Sequence, residues 1–286
     1  TIHDFSQSLI FVIGNLDEVY DMAGAIDPDC DADIFYENSL KITTTDVKEA
    51  LKQRFRIEQI ARLGNNHIVY PAFSSSAYKQ LIAIELKKFK IRAQERYGIE
   101  IELDDSVQSI LYREGVFPTQ GTRPVFTTIN TLIESYVSKI MSDIVLSQIT
   151  ATKIQWKFNE DTNEYEVKIF SDKKYITKQY GLNLKVDNLR KSTKDDTQAH
   201  TAVHEAGHAV VACMLLGIIP EETVSKTAGS NLGYCRVQLP GVLTREVMKK
   251  DISVGLGGYA AERIIFGNED LSFGASKKKK KVTERA

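Results

Sequence analysis

The stretch TAVHEAGHAVVA, Thr201 to Ala212, decides how this chain is read. It holds His204 and His208 four positions apart, with Glu205 directly after the first. On an α-helix, residues four apart lie within about 40° of one another around the axis, so both imidazoles can face one ion. Glu205 is close enough to polarise a water held there. Two neutral imidazoles, a carboxylate base and an open position for water form the donor set of a zinc hydrolase. Ala202, Val203, Ala206, Val210 and Val211 around them are apolar, which predicts a mostly buried helix that holds the site rigid. Two of the five histidines fall here, where an unpaired imidazole would be costly. A metal centre therefore accounts for them better than a chance pattern on a solvated helix. His3, His67 and His200 have no comparable company. His200, four residues before His204, reads as a solvated or supporting group rather than a ligand.

Upstream of this helix, Ser171 to Asp196 is polar and rich in Lys and Asp, and reads as a linker. Before it, KIQWKF (Lys153–Phe158) and EYEVKIF (Glu164–Phe170) alternate apolar and polar residues on either side of a turn-forming stretch, which predicts a β-hairpin. Ile99, Ile101 and Leu103 alternate with Glu100 and Glu102, the period of a half-buried strand. Helical spacing predicts helices from Thr45, from the Ser74–Ser76 cap to about Arg96, over Ser106–Glu114 and over Arg123–Ser147. QSLIFVI (Gln7–Ile13), closed by Gly14-Asn15, reads as a buried strand, and HIVY (His67–Tyr70), stopped by Pro71, as a short one.

The 286 residues suggest about two domains, and 42% hydrophobic with 26% charged residues is ordinary for a globular protein. With 37 basic against 38 acidic side chains the formal charge is −1, which argues against nucleic acid as the principal partner. Cys30, Cys213 and Cys235 are odd in number and far apart, and do not read as a disulfide framework. Cys213 on the metal helix reads as buried, and Cys235 as a strand residue; both are core groups rather than ligands. No apolar run reaches the roughly 18–20 residues of a membrane-spanning helix. The chain opens on Thr1 and stops at Ala286 within a Lys/Glu/Ala-rich stretch, so both ends read as cut and a membrane anchor could precede Thr1.

From Thr201 onward the sequence resembles the peptidase domain of FtsH-type ATP-dependent zinc metalloproteases. The resemblance rests on TAVHEAGHAVVA, LGYCRVQLP (Leu232–Pro240), LGGYAAERIIFG (Leu256–Gly267) and LSFGAS (Leu271–Ser276), in family order. It implies that His204 and His208 hold Zn2+, that Glu205 is the catalytic base, and that the LGYCRVQLP strand edges the substrate cleft. It also implies an aspartate as third ligand, two residues after GAS. Lys278 stands at that position, within the run Lys277–Lys281. A protonated lysine has no lone pair to give and repels a dication. Three readings remain open: the run is a substitution or an error in the sequence, another carboxylate (Glu262, Glu269 or Asp270) ligates, or the centre is degenerate.

The N-terminal part is similar to the AAA+ module of Clp-type unfoldases, entered midway. QSLIFVIGNL (Gln7–Leu16) resembles the strand ending in a sensor asparagine, here Asn15. RFRIEQIARL…HIVYP (Arg54–Pro71) carries Arg62 at the arginine-finger position, and REGVFPTQGTRPV (Arg113–Val125) carries the sensor arginine at Arg123. The resemblance implies that Asn15 orients the attacking water, Arg62 reaches the nucleotide of a neighbouring subunit, and Arg123 that of its own. No GxxxxGK[ST] phosphate loop occurs in the chain; it and the Mg2+-binding acids would lie upstream of Thr1.

Together these readings predict an α+β multi-domain protein: the end of an AAA+ large subdomain over 1–71, a helical small subdomain with a β-hairpin over 72–170, a linker over 171–196, and a truncated, mainly helical zincin-like peptidase domain over 197–286. The function implied is ATP-dependent zinc metalloendopeptidase, with Zn2+ and ATP/Mg2+ as cofactors and protein substrates as partners. A homo-oligomer, by family analogy a hexamer, would sit in the cytoplasm or on the cytoplasmic face of a membrane. The alternative is a pseudoprotease, an unfoldase or scaffold whose metal centre has decayed at Lys278.

Overall fold

The computed structural model describes residues 7–8, 11–22, 29–171, 174–229 and 231–272. Leu9 and Ile10 of the N-terminal run, and the whole of Lys277–Lys281 with Lys278, lie outside the described residues.

Among the described residues four short helices come first: α1 (Asp17–Met22), α2 (Ala32–Leu40), α3 (Thr44–Lys52) and α4 (Ile57–Leu63). Their starts are written locally. Asp31 accepts from the amides of Asp33 and Ile34, and Thr43 and Asp46 cap each other reciprocally at α3. Val19, Val47 and Ala50 form a small core with Leu16, Ile42, Leu51 and Val69 around it. Two expectations are corrected here. Residues 11–16 form no strand, and Phe11, Val12 and Ile13 are exposed; residues 67–70 likewise form no strand, with Ile68 and Tyr70 exposed. A β-branched run becomes a strand only when another strand takes its backbone hydrogen bonds, and no described segment pairs with either in a ladder.

The main core follows. Helix α5 (Ser75–Tyr97) is capped by Ser74, which accepts from Ala77 N, and ends at Gly98, whose φ of 65° suits a residue without Cβ. After β1 (Glu100–Leu103) come α6 (Asp105–Gly115), α7 (Arg123–Ile129) and α8 (Ser135–Leu146), the last two joined by a wide turn over Asn130–Glu134. The expected hairpin is β2 (Lys153–Asn159) with β3 (Glu164–Phe170). The sheet runs β1-β2-β3-β4, with β1 parallel to β2 and the other pairs antiparallel. Period-two alternation puts Ile154, Trp156 and Phe158 of β2 and Tyr165, Val167 and Ile169 of β3 on one buried face against the helices. Trp156 meets Tyr165 edge to face, centroids 5.0 Å apart.

The stretch 171–196, expected as a linker, is more ordered than that. It carries β4 (Tyr175–Gly181), paired with β3 along its length, and α9 (Val186–Arg190). Ile176 and Tyr180 continue the inner face of the sheet. The carboxylate of Glu114 accepts from the amides of Lys185, Val186 and Asp187, filling the N-terminus of α9. Arg190 then reaches the carbonyl of Val116 and the carboxylate of Asp29, and Asp29 accepts from Ala228 N at 2.7 Å.

That last bond lands on the C-terminal unit. It comprises α10 (Asp196–Leu216), a two-stranded ribbon of β5 (Glu222–Val224) and β6 (Tyr234–Arg236), and α11 (Arg245–Phe266). Asp195 and Thr244 cap the two long helices, and α10 stops at Gly217 in the left-handed region. Helix α10 is half-buried rather than mostly buried: His204, Glu205, Gly207 and His208 face inward, while Ala202, Ala206, Val210 and Met214 are exposed. Cys213 is exposed rather than buried, and Cys235 lies on β6 as expected.

Two tests follow from this architecture. Ile110 on α6 is fully buried in the main core, so Ile110→Ala should cost about 2–5 kcal/mol, read as a lower denaturant midpoint at unchanged slope. Asp33 of α2 accepts from the hydroxyl of Ser75 at 2.6 Å and from its amide at 2.8 Å, tying α2 to the start of α5. Those bonds hold its carboxyl below the usual 3.8. Its contribution is complete above that value and is lost as pH falls through the depressed one. Asp33→Asn should therefore flatten the acid limb of the stability–pH curve and lower stability at neutral pH.

Candidate metal centre

Two glycines set the distance between α10 and α11. A Cβ on Gly207 would lie 2.4 Å from the Gly257 carbonyl oxygen, and one on Gly257 would lie 2.6 Å from that of Gly207. The backbones therefore touch, which only residues without side chains permit. A Cβ on Gly258 would lie 2.6 Å from His204 Nε2, so this glycine makes room for the imidazole.

Within that close contact both imidazoles are fixed by their Nδ1 atoms. His204 Nδ1 is 2.5 Å from Glu262 Oε1, and His208 Nδ1 is 2.6 Å from the Val254 carbonyl oxygen. A carbonyl and a carboxylate only accept, so the neutral rings carry their protons on Nδ1 and their lone pairs on Nε2. The two Nε2 atoms stand 3.1 Å apart. Zinc–nitrogen bonds of about 2.0–2.1 Å at a tetrahedral angle place two donors about 3.3 Å apart. The pair thus has the separation and the tautomers that a shared ion requires. Both rings are buried, as is Glu205 next to His204.

Glu262 is fully buried. Burial alone raises its carboxyl, but the Ser272 amide, the His204 ring and the Ser272 hydroxyl outweigh burial and hold it below the ordinary value. It is a carboxylate, set behind His204 on the Nδ1 side, where such groups orient a ligating ring and raise its basicity. Its Oε1 thus meets His204 on the side of the ring away from the Nε2 atom that faces His208. Glu269 and Asp270 are exposed beyond the end of α11. Among the described residues no cluster of three or more His, Cys, Asp or Glu comes together to complete a metal site.

Residues 191–286 match the model of peptidase family M41. Residues 73–155 match the C-terminal, D2-small domain of ClpB protein. The chain is 32% identical over 96 residues to the ATP-dependent zinc metalloprotease FtsH of Mesomycoplasma conjunctivae, a match covering 32% of this chain and 13% of that protein. It is 36% identical over 97 residues to the ATP-dependent zinc metalloprotease FTSH 11 of Arabidopsis thaliana, covering 32% of this chain and 12% of that one. The chaperone protein ClpB of Prochlorococcus marinus is 27% identical over 105 residues, 37% of this chain and 12% of its own length. The chain spans 12–13% of the length of these curated relatives.

The structure brings His204, Glu205 and His208 onto the inner face of one helix of the M41 segment. The residues with expected nucleotide roles are spread out: Asn15 precedes α1, Arg62 lies on α4 and Arg123 opens α7, all three exposed. No hydrogen bond or ion pair joins their side chains to one another. Val254, Gly257, Gly258 and Ser272 are not singled out as site residues by the sequence, although the last three lie in the LGGYAAERIIFG and LSFGAS stretches that carry the resemblance. Their signal was present, since Val254, Gly258 and Glu262 recur every fourth residue opposite the two histidines.

Because Gly258 leaves space for the His204 ring, Gly258→Ala should displace that imidazole. Zinc affinity should fall by at least about tenfold, measured by chelator competition, while circular dichroism shows the helix content kept.

Proposed function

We propose that this chain is part of an ATP-dependent zinc metalloendopeptidase acting on unfolded or threaded protein substrates. The observation that carries this reading is the facing Nε2 pair of His204 and His208, 3.1 Å apart with both Nδ1 atoms anchored, inside a segment that matches peptidase family M41. His204 and His208 would hold the ion. Zinc, when bound, supplies the Lewis acidity that brings a water molecule's pKa down to about 7. Glu205 takes the proton of the attacking water and returns it to the leaving amine. Glu262 and the Val254 carbonyl keep the two rings in the tautomer that presents Nε2.

The motor half of the proposal rests on the ClpB D2-small match and on the positions of Asn15, Arg62 and Arg123. An exposed Arg62 suits a residue that completes a neighbour's ATP/Mg2+ site. The assembly would then be a homo-oligomer, a hexamer by family analogy, working in the cytoplasm or at the cytoplasmic face of a membrane. Among the described residues no helix is long and apolar enough to cross a membrane.

Lys278 supports a second reading, an unfoldase or scaffold with a degenerate centre, because a lysine at the third-ligand position opposes a dication. Elemental analysis separates the two. The protease reading expects one zinc per chain, lost in His208→Ala, and Glu205→Gln that keeps the metal while peptide hydrolysis falls at least about 100-fold. Well-folded protein without zinc overturns it. Recovery of zinc in Lys278→Asp alone would then identify that residue as the cause.

A further inference from the structure

The histidines of α10 form a stripe of three, not a pair. His200, His204 and His208 stand at four-residue steps, and α11 opposes them with Phe266, Glu262, Gly258 and Val254 at the same step in the reverse direction. His200 stacks on Phe266, ring centroids 4.0 Å apart and planes 26° apart. Its Nδ1 lies 3.7 Å from Glu262 Oε2 and is buried without a hydrogen-bond partner among the described residues. The other oxygen of that carboxylate, Oε1, is the one 2.5 Å from His204 Nδ1. One buried carboxylate therefore stands between two imidazoles.

We propose that His200 is a positioning residue of the metal centre: its Nδ1–H holds Glu262 from the Oε2 side, so that Oε1 fixes the ring of His204. This rests on the metal centre proposed above. The contact is about half an ångström longer than a formed hydrogen bond, but an N–H beside a buried carboxylate is attracted to it more strongly than it would be in water. Stacking on Phe266 fixes the plane of the ring. The Ser272 amide and hydroxyl, at 2.9 and 3.1 Å from the same carboxylate, complete its surroundings. Groups that support a ligating imidazole in this way change metal affinity by about 10–100-fold when removed.

The rival account is that His200 is only a flat ring filling space beside Phe266. Two variants of the full chain distinguish them. His200→Phe keeps a ring to stack and loses the nitrogen; His200→Asn loses the ring and keeps a donor at the position of Nδ1. Zinc affinity is read by chelator competition, and the ligand field by the visible absorption of the Co2+-loaded chain. The positioning role expects His200→Phe to bind zinc about tenfold more weakly with shifted cobalt bands, and His200→Asn to stay close to wild type in both. The reverse order, no change in either variant, or equal loss in both overturns it. His208→Ala is the control: if it retains zinc, the metal centre itself fails, and not merely the part assigned to His200.

Discussion

The contact between Gly207 and Gly257 is the constraint on which the rest of the C-terminal unit depends. Two helices of 21 and 22 residues could pack at many separations, and ordinary side chains would hold their axes 8–10 Å apart. Here backbone meets backbone, so every group one or two turns away falls at a fixed place. Val254 reaches His208, Glu262 reaches His204, and Gly258 leaves the gap that the His204 ring fills. The chemistry of the site is a consequence of how closely two chains of peptide groups can approach.

Much of this was legible in the sequence, for reasons that differ from element to element. The β2–β3 hairpin could be read because each strand is the other's partner, and the alternation of Ile154, Trp156 and Phe158 states which face is buried. The same reasoning misled at Phe11–Ile13. A run can declare a preference for extended backbone, but it does not carry the strand that would accept its hydrogen bonds. Strand β4 escaped for the opposite reason: YITKQYG is polar enough to look like linker, and only its pairing with an already formed β3 makes it a strand.

At the site, the motif announced the donors and said nothing about what holds them. His204, Glu205 and His208 follow from spacing alone. The acceptors that set their tautomers come from α11, some fifty residues on, and one of them is a backbone carbonyl that any residue type would supply. Glu262 shows the limit most clearly. As a residue it looked like a possible ligand, and only the structure places it on the Nδ1 side of the His204 ring, away from the Nε2 pair. Helix α10 also looked buried on composition, whereas its apolar outer side, with Val210 and Met214, is open to solvent.

The bond from Asp29 to Ala228, with Arg190 holding the same carboxylate, joins residues about two hundred positions apart. It ties the segment before α2, the end of the ordered passage after the sheet, and the loop between β5 and β6 into one knot. For the loop between β5 and β6 to move away from the helices before it, both bonds to the Asp29 carboxylate must break or travel with it.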